Sequence, residues 1–474
     1  MSFVLAIDQG TSATKALVVG PDGAVAGAGE AAVRPTFLAD GGVEQDPEAL
    51  WRSVVEAGAA AVARARTPIT AVGLANQGET VLAWDRASGR PLSAAISWQD
   101  RRAAETCDAL AGDADRLAEI TGLRLDPYFA APKMRWLRAH VTRDGVCTTT
   151  DAWLLHRLTG AFVTDLATAS RTMLLDLGAG RWSPEACDTF DVDPDALPDL
   201  VGNATPIGDT TAFGGRAPVT AAIVDQQAAL FAQRCYEPGA AKCTYGTGAF
   251  LLANVGREPR RSTADLAASV AWRLGDETTY CLDGQVYTAG AAVAWLRDLG
   301  VIASTDDLDA AAARAEGLHF VPALAGLAAP FWKPQARGAF VGLSLSTSRA
   351  ALVRAVLDGI AAQVAWLARA VAYDLGGPLG RLRVDGGLAR SRSLLQTQAD
   401  LLQAPVEVYP SPDATALGTA ALARLGAGLA TSAADAVVAW TPDATFTPAI
   451  SSDQAEERLR AWRRAAEATM DLRL

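Results

Sequence analysis

Histidine is nearly missing from this chain of 474 residues: His140, His156 and His319 are its three, and they lie far apart. That argues against a zinc centre built on imidazoles. The six cysteines, Cys107, Cys147, Cys187, Cys235, Cys243 and Cys281, form no CxxC pair and read as free thiols of a reducing compartment, so a cytoplasmic location is expected. No long basic cluster interrupts a formal net charge of −11, which disfavours nucleic acid or an anionic membrane as partner. The opening MSFVLAIDQG has no basic n-region, and no apolar span of 18 residues is expected anywhere, so neither a signal peptide nor a membrane span is predicted. The Walker-type phosphate loop GxxxxGK[ST] does not occur either.

What remains is ample apolar material, half of the composition, in a chain longer than one hydrophobic core usually serves. Two domains are expected, divided near the punctuation CYEPGA (235–240) into residues 1–234 and 235–474. Ala- and Leu-rich segments alternate with short β-branched runs, as in an α/β protein. FVLAIDQGTSATKALVVGPDGAVAGAGE (3–30) predicts three strands joined by a polar turn and a PDG turn. A helix follows within 41–65 and a strand at 68–76, then a hairpin over 80–98 and helices at 101–120, 130–140 and 148–160. Residues 201–218 read as an irregular surface loop. The opening is echoed at 239–256, again strand, Gly/Thr turn, strand, and at 382–402 a strand runs through DGG into an amphipathic helix.

Three polar turns therefore carry the chemistry. In DQGTSATK (8–15) small residues let backbone amides approach phosphate oxygens, Thr11 and Ser12 add hydroxyls, and Lys15 adds a cation. Asp8 is chemically suited to hold hydrated Mg²⁺, an ion that keeps waters and leans on one or two carboxylates. YGTG (245–248), with Gly246 and Thr247, and DGG (385–387), with Gly386 and Gly387, follow predicted strands in the second half. Each turn alone is weak; in this order they read as a nucleotide clamp, the third lying where open α/β sheets bind ligands. In AIVDQQAALF (222–231) a lone carboxylate, Asp225, ends a predicted strand. It is either the N-cap of the helix that follows or a group that does chemistry.

At this point the chain resembles the FGGY-family carbohydrate kinases, and within them the glycerol kinase branch. The matching stretches include DQGTSATK, NQGETVLAWD, ISWQDRR, LDPYFAAPKMRWL, ASRTML, DQQAALFAQRCYEPGAAKCTYGTGAFLL, GLAAPFWKPQARGAFVGL and VDGGLARSRSLLQTQADLL, from residue 3 to about 425. The resemblance implies two actin-like (ribonuclease H-like) ATPase domains with the active site in the cleft between them. It implies ATP and Mg²⁺, a small polyol or sugar as acceptor, and a homodimer or homotetramer. It makes Asp225 the general base, with a share in the metal. It places the acceptor among Gly78, Glu79, Tyr128, Asp225 and Gln226, with Trp98 and Phe250 as apolar walls, and adds Gly290 and Ser391 to the nucleotide side. A polyol hydroxyl is a poor nucleophile and gains from a carboxylate that takes its proton.

The chain also departs from the family. NQGE (76–79) stands where glycerol kinases usually have NQRE, so the arginine that would donate to the acceptor is replaced by Gly78. Val224 stands where glycine is usual, narrowing the pocket elsewhere. Arg101 and Arg102 are the nearest candidates to stand in for the missing donor. Ala294 replaces a common glutamine, and Ser391 a common asparagine, at the nucleotide edge. The readings left open are a glycerol kinase, a kinase of a longer polyol or ketose, and, in a different class, a non-catalytic actin-like nucleotide or sugar sensor.

Overall fold

The computed structural model of the chain describes residues 2–305, 308–311, 317–333 and 335–470. Its first half begins with strands β1 (Phe3–Gln9), β2 (Ala13–Val19) and β3 (Val25–Ala32). Helix α1 (Pro47–Ala65) and strand β4 (Ile69–Asn76) follow. Further along come helix α2 (Ala130–His140), strands β5 (Gly208–Thr210) and β6 (Ala217–Val224) and helix α3 (Asp225–Ala232). α1 starts where Asp46 accepts the Glu48 N–H and Pro47 takes the first turn, where no amide partner is needed. Its buried residues Leu50, Val54, Ala57 and Ala61 recur at helical spacing on one face. Burying the two larger side chains contributes about 1.5–3 kcal/mol each.

The second half contains β7 (Ala241–Tyr245), β8 (Ala249–Gly256), β9 (Ala267–Leu274), β10 (Glu277–Val286), α4 (Gly290–Asp298) and α5 (Arg349–Leu375). It continues with β11 (Leu382–Asp385), α6 (Arg392–Leu402), β12 (Val406–Val408), α7 (Ala414–Gly426) and β13 (Thr445–Phe446). The first sheet runs β5-β6-β4-β1-β2-β3 and the second β9-β10-β8-β7-β11-β12-β13. Within them β3-β2-β1-β4-β6 and β10-β8-β7-β11-β12 correspond strand for strand: an antiparallel meander of three, then two strands parallel to its first member. This is the paired actin-like α/β architecture the sequence led one to expect. A smaller five-stranded sheet, built from residues 36–37, 43–45, 81–84, 95–96 and 146–149, is inserted in the first half.

Helix α7 belongs to the second half by sequence but lies against the first sheet. A Cβ on Gly418 would sit 1.9 Å from the Ala228 carbonyl of α3, so the two helices meet at backbone distance. Thr220 of β6 donates to the Ala423 carbonyl at 2.8 Å. The β6–α3 junction is thereby held from both halves.

Three expectations need correction. Residues 101–120 are two helices, Ala104–Ala109 and Ala114–Thr121, split by a tight turn at Ala111–Asp113. The loop at 201–218 contributes β5, which pairs antiparallel with β6. An 18-residue apolar span does exist: α5 is long and apolar enough to cross a membrane by length and composition, yet 72% of that stretch is buried inside the protein. It is a core helix packed on the second sheet, which accounts for its composition.

Candidate active site

Four strand ends converge on the cleft: the β1–β2 turn, the end of β4, the β6–α3 junction, and from the other side the β7–β8 turn. They enclose a cavity of about 350 Å³ lined by Gly78, Glu79, Trp98, Tyr128, Asp225, Gln226, Thr247 and Phe250, with Thr11 and Ser12 at its edge. A second cavity, of about 500 Å³, is lined by Gly246, Thr247, Gly290, Gly387 and Ser391, together with Asp309 and Arg390. Thr247 faces both.

The aromatic walls of the first cavity form a corner. The Trp98 ring meets Tyr128 at 5.8 Å and Phe250 at 6.1 Å, edge to face in each case. The Trp98 indole N–H donates to Thr11 Oγ1 at 2.9 Å, joining the wall to the first polar turn. Thr11 and Ser12 thus lie on the acceptor side rather than in the second cavity. Tyr128 is fixed from beneath. The buried Lys133 of α2 donates to the carbonyls of Pro127 (3.0 Å), Tyr128 (2.5 Å) and Phe129 (2.6 Å). Burial pushes its amine down to about 7, against the pull of Glu79 and Asp100.

Asp225 is the first residue of α3 and not its N-cap, which is Val224 in extended conformation. The capping alternative fails on that geometry. Its carboxylate accepts the Gln226 N–H at 2.6 Å. Burial raises its pKa above the usual carboxylate range, and Lys242 pulls the other way. Asp8, at the end of β1, is pushed up to about 7 by burial first and by the nearby Asp225 second, while Lys15 pulls it down. Two partly buried carboxylates, both raised by burial and one of them also by the other's charge, mark a place suited to a cation. Among the described residues no group of three or more His, Cys, Asp or Glu side chains could hold a metal. A hydrated Mg²⁺ with two protein carboxylates fits this donor set; a closed cage does not.

Lys15, expected to be free for phosphate, forms a 3.3 Å ion pair with Asp413, immediately before α7. Arg101 and Arg102 do not replace an arginine at position 78. Arg101 pairs with Asp126 at 2.8 Å, and Arg102 with Asp100 at 2.7 Å and Glu44 at 2.8 Å. The space at Gly78 is already partly taken: a Cβ there would lie 3.0 Å from a methyl of Val224. The two departures touch.

In the second cavity the glycine turn is tied to the start of α4. The Gly290 N–H donates to the Gly246 carbonyl at 2.9 Å, and a Cβ on Gly290 would come within 2.5 Å of that oxygen, so only glycine fits. Gly386 stands just behind the cavity at φ +92°, where a Cβ would strike the Tyr245 carbonyl at 2.5 Å. The N-terminus of α6, expected as a ligand site, already holds an anion from within the chain. Asp309 accepts from Ser391 Oγ (2.8 Å), Arg392 N (2.8 Å) and Ser393 N (2.9 Å). Burial pushes that carboxyl up, but the three donors outweigh it and leave it below its usual range.

Sequence reasoning passed over Arg171 and Lys242. The buried Arg171 donates through Nε to Glu79 at 2.6 Å and through Nη1 to Asp283 of β10. Lys242 of β7 donates to Gln226 at 2.5 Å and Thr244 at 2.9 Å. The available signal was a cation inside an otherwise small or apolar run, ASRTML in one case and AAKCTY in the other.

Comparison with known proteins supports the same architecture along the whole length. Residues 3–232 match the N-terminal domain, and residues 241–427 the C-terminal domain, of the FGGY family of carbohydrate kinases. The chain is 43% identical over 486 residues to a glycerol kinase of Alkalilimnicola ehrlichii, covering 98% of each protein. It is 44% identical over 490 residues to one of Myxococcus xanthus, covering 98% of this chain and 99% of that one. The crystal structure of Plasmodium falciparum glycerol kinase with ADP superposes with a TM-score of 0.93 at 29% identity, covering 100% of this chain and 99% of the other. With both halves matched in order, the chain belongs to the FGGY family of carbohydrate kinases.

Proposed function

We propose that the protein is an ATP-dependent phosphotransferase of the glycerol-kinase type that acts in the cytoplasm on a hydroxyl of a small polyol. One observation carries this reading: the cavity that holds Asp225 and the cavity walled by the glycine turns share Thr247. An acceptor in the first and a nucleotide in the second would meet there. With the halves divided near residues 234 and 235, both contribute to the first cavity and the second half alone lines the second.

Asp225 takes the proton of the attacking hydroxyl as the new P–O bond forms. Glu79 accepts from a vicinal hydroxyl, Tyr128 donates or accepts, Gln226 adds its amide, and Trp98 and Phe250 cover the C–H edges. Gly246, Thr247, Gly290, Gly386 and Gly387 leave backbone room for the nucleotide, Ser391 borders it, and Thr11, Ser12 and Lys15 face the transferring phosphate. To do so Lys15 leaves Asp413. Asp8 and Asp225 would hold Mg²⁺, which when bound neutralises phosphate charge. Closure of the cleft excludes water, the competing nucleophile.

Glycerol is the first acceptor to test, since the relatives bear that name. A second reading, a longer polyol or a ketose, rests on Gly78, where a donor side chain is missing. The test is coupled ATP turnover with Mg²⁺ across glycerol, erythritol, pentitols and ketoses, with D225A as blank. A polyol-dependent rate absent from D225A supports the kinase; no stimulation by any acceptor leaves the non-catalytic sensor.

Because Val224 crowds position 78, G78R alone should gain little glycerol activity. G78R/V224G should raise kcat/KM for glycerol about tenfold, as expected for one restored hydrogen bond to the acceptor. If the double variant gains nothing while a longer polyol remains the better acceptor, the missing arginine is not what discriminates.

A further inference from the structure

We propose that Arg171 is a positioning residue of the acceptor site: it sets the Glu79 carboxylate in the cavity and anchors it to the second half of the protein through Asp283. The inference rests on the kinase reading above and adds a residue to it.

Glu79 needs to be held. Its backbone lies at φ +59°, the left-handed region that a side-chain-bearing residue keeps only when its surroundings enforce it. Among the described residues, Arg171 is the one hydrogen-bond donor to its carboxylate. Oε1 takes that bond, which leaves Oε2 for a ligand in the cavity that Glu79 lines. The guanidinium is itself locked. It lies over the Phe129 ring at 5.3 Å and the Tyr128 ring at 5.9 Å, and its Nη1 reaches Asp283.

All three charged groups are buried, with side chains 5% (Arg171), 5% (Glu79) and 8% (Asp283) exposed. At such depth the fork of a guanidinium does what an ammonium cannot: it bonds two carboxylates at once in fixed directions. Asp283 sits on β10, an inner strand of the second sheet. The segment carrying Arg171 is stitched to the same sheet, because Ser170 Oγ accepts the Val270 N–H at 2.9 Å. Glu79 and Arg171 both belong to the first half, yet the guanidinium that places the Glu79 carboxylate is anchored on the second through Asp283. The hydroxyl pattern the acceptor meets therefore depends on how the two halves sit together.

R171K is the informative variant, because it keeps the buried positive charge but loses the fork. In the full chain with Mg-ATP, R171K should raise KM for the acceptor about 10²-fold, as a carboxylate displaced by about 1 Å would. Its KM for ATP and its kcat should stay within about threefold of wild type. D283N, which loosens the far anchor, should raise the acceptor KM by a smaller factor in the same direction. A merely structural role would lower the melting temperature and shift both KM values together. Either that pattern or an unchanged acceptor KM in R171K overturns the proposal. If R171K does not fold, D283N decides by the same criteria. If the wild-type chain phosphorylates neither a polyol nor a ketose, the kinase reading fails. Glycerol titrated against tryptophan fluorescence, with Trp98 in the cavity wall, then tests Arg171 separately: weaker binding in R171K supports the proposal and equal binding overturns it.

Discussion

Asp225→Asn should cut kcat by about 10²–10⁴-fold, the range a positioned general base contributes. The KM values for ATP and acceptor should change far less. Asparagine keeps the size of the side chain and an oxygen to accept the Gln226 N–H, so α3 should start as before. What is lost is the capacity to take a proton. The residual rate should also lose the part of its acid limb that Asp225 contributes. Burial raises the Asp225 carboxyl above the ordinary range, so the wild-type rate should fall as pH drops toward that raised value and the base becomes protonated. The variant has no base to protonate, and the acid limb it keeps is that of Asp8, moved down by loss of the Asp225 charge. Steady-state kinetics across pH for both proteins check both statements. A D225N enzyme within about tenfold of wild type would mean that alignment and charge compensation suffice and that Asp225 serves the metal or the helix instead.

Much of the fold was legible because it is local. Strand, turn and strand over residues 3–32 carry their own punctuation, and α1 announces itself through Asp46, Pro47 and the spacing of Leu50, Val54, Ala57 and Ala61. The echo at 239–256 was visible for the same reason, and it marks the second copy of the meander. What was not legible is pairwise and distant. Lys15 meets an aspartate 398 positions away, and Arg171 reaches partners 92 and 112 positions away. The α6 N-terminus is filled by Asp309, from a segment with no motif of its own. No periodicity encodes such meetings; they arise only when segments distant in sequence pack together. The buried apolar character of α5 misleads in the opposite direction, since composition alone does not say whether lipid or protein covers a helix.

The metal-free protein should become more stable when Asp8 is replaced by asparagine, by an amount that grows with pH between the unfolded and folded values of that carboxyl. The Asp8 carboxyl lies at about 7 in the folded chain against an ordinary value of 3.8. Between those values the folded state binds the extra proton, so stability falls as pH rises through the window and the full penalty is present above it. Each pH unit is worth about 1.4 kcal/mol, so after screening at the partly open cleft the penalty is roughly 2–4 kcal/mol. D8N removes the charge and with it the penalty. In the presence of a chelator its melting temperature should exceed that of wild type at pH 8.5, and the gap should narrow to about half at pH 5.5, midway through the window in which the folded state holds the proton and the unfolded state does not. Millimolar Mg²⁺ should raise the wild-type melting temperature at pH 8.5 and leave D8N nearly unmoved, because binding to the folded state alone stabilises by mass action. Phosphoryl transfer should be lost in D8N at the same time, so that the residue which weakens the empty cleft is one the reaction needs. A D8N protein that melts below wild type at pH 8.5 would show instead that Asp8 is held by its attraction to Lys15, and that the ion pair of Lys15 with Asp413 is the weaker of the two.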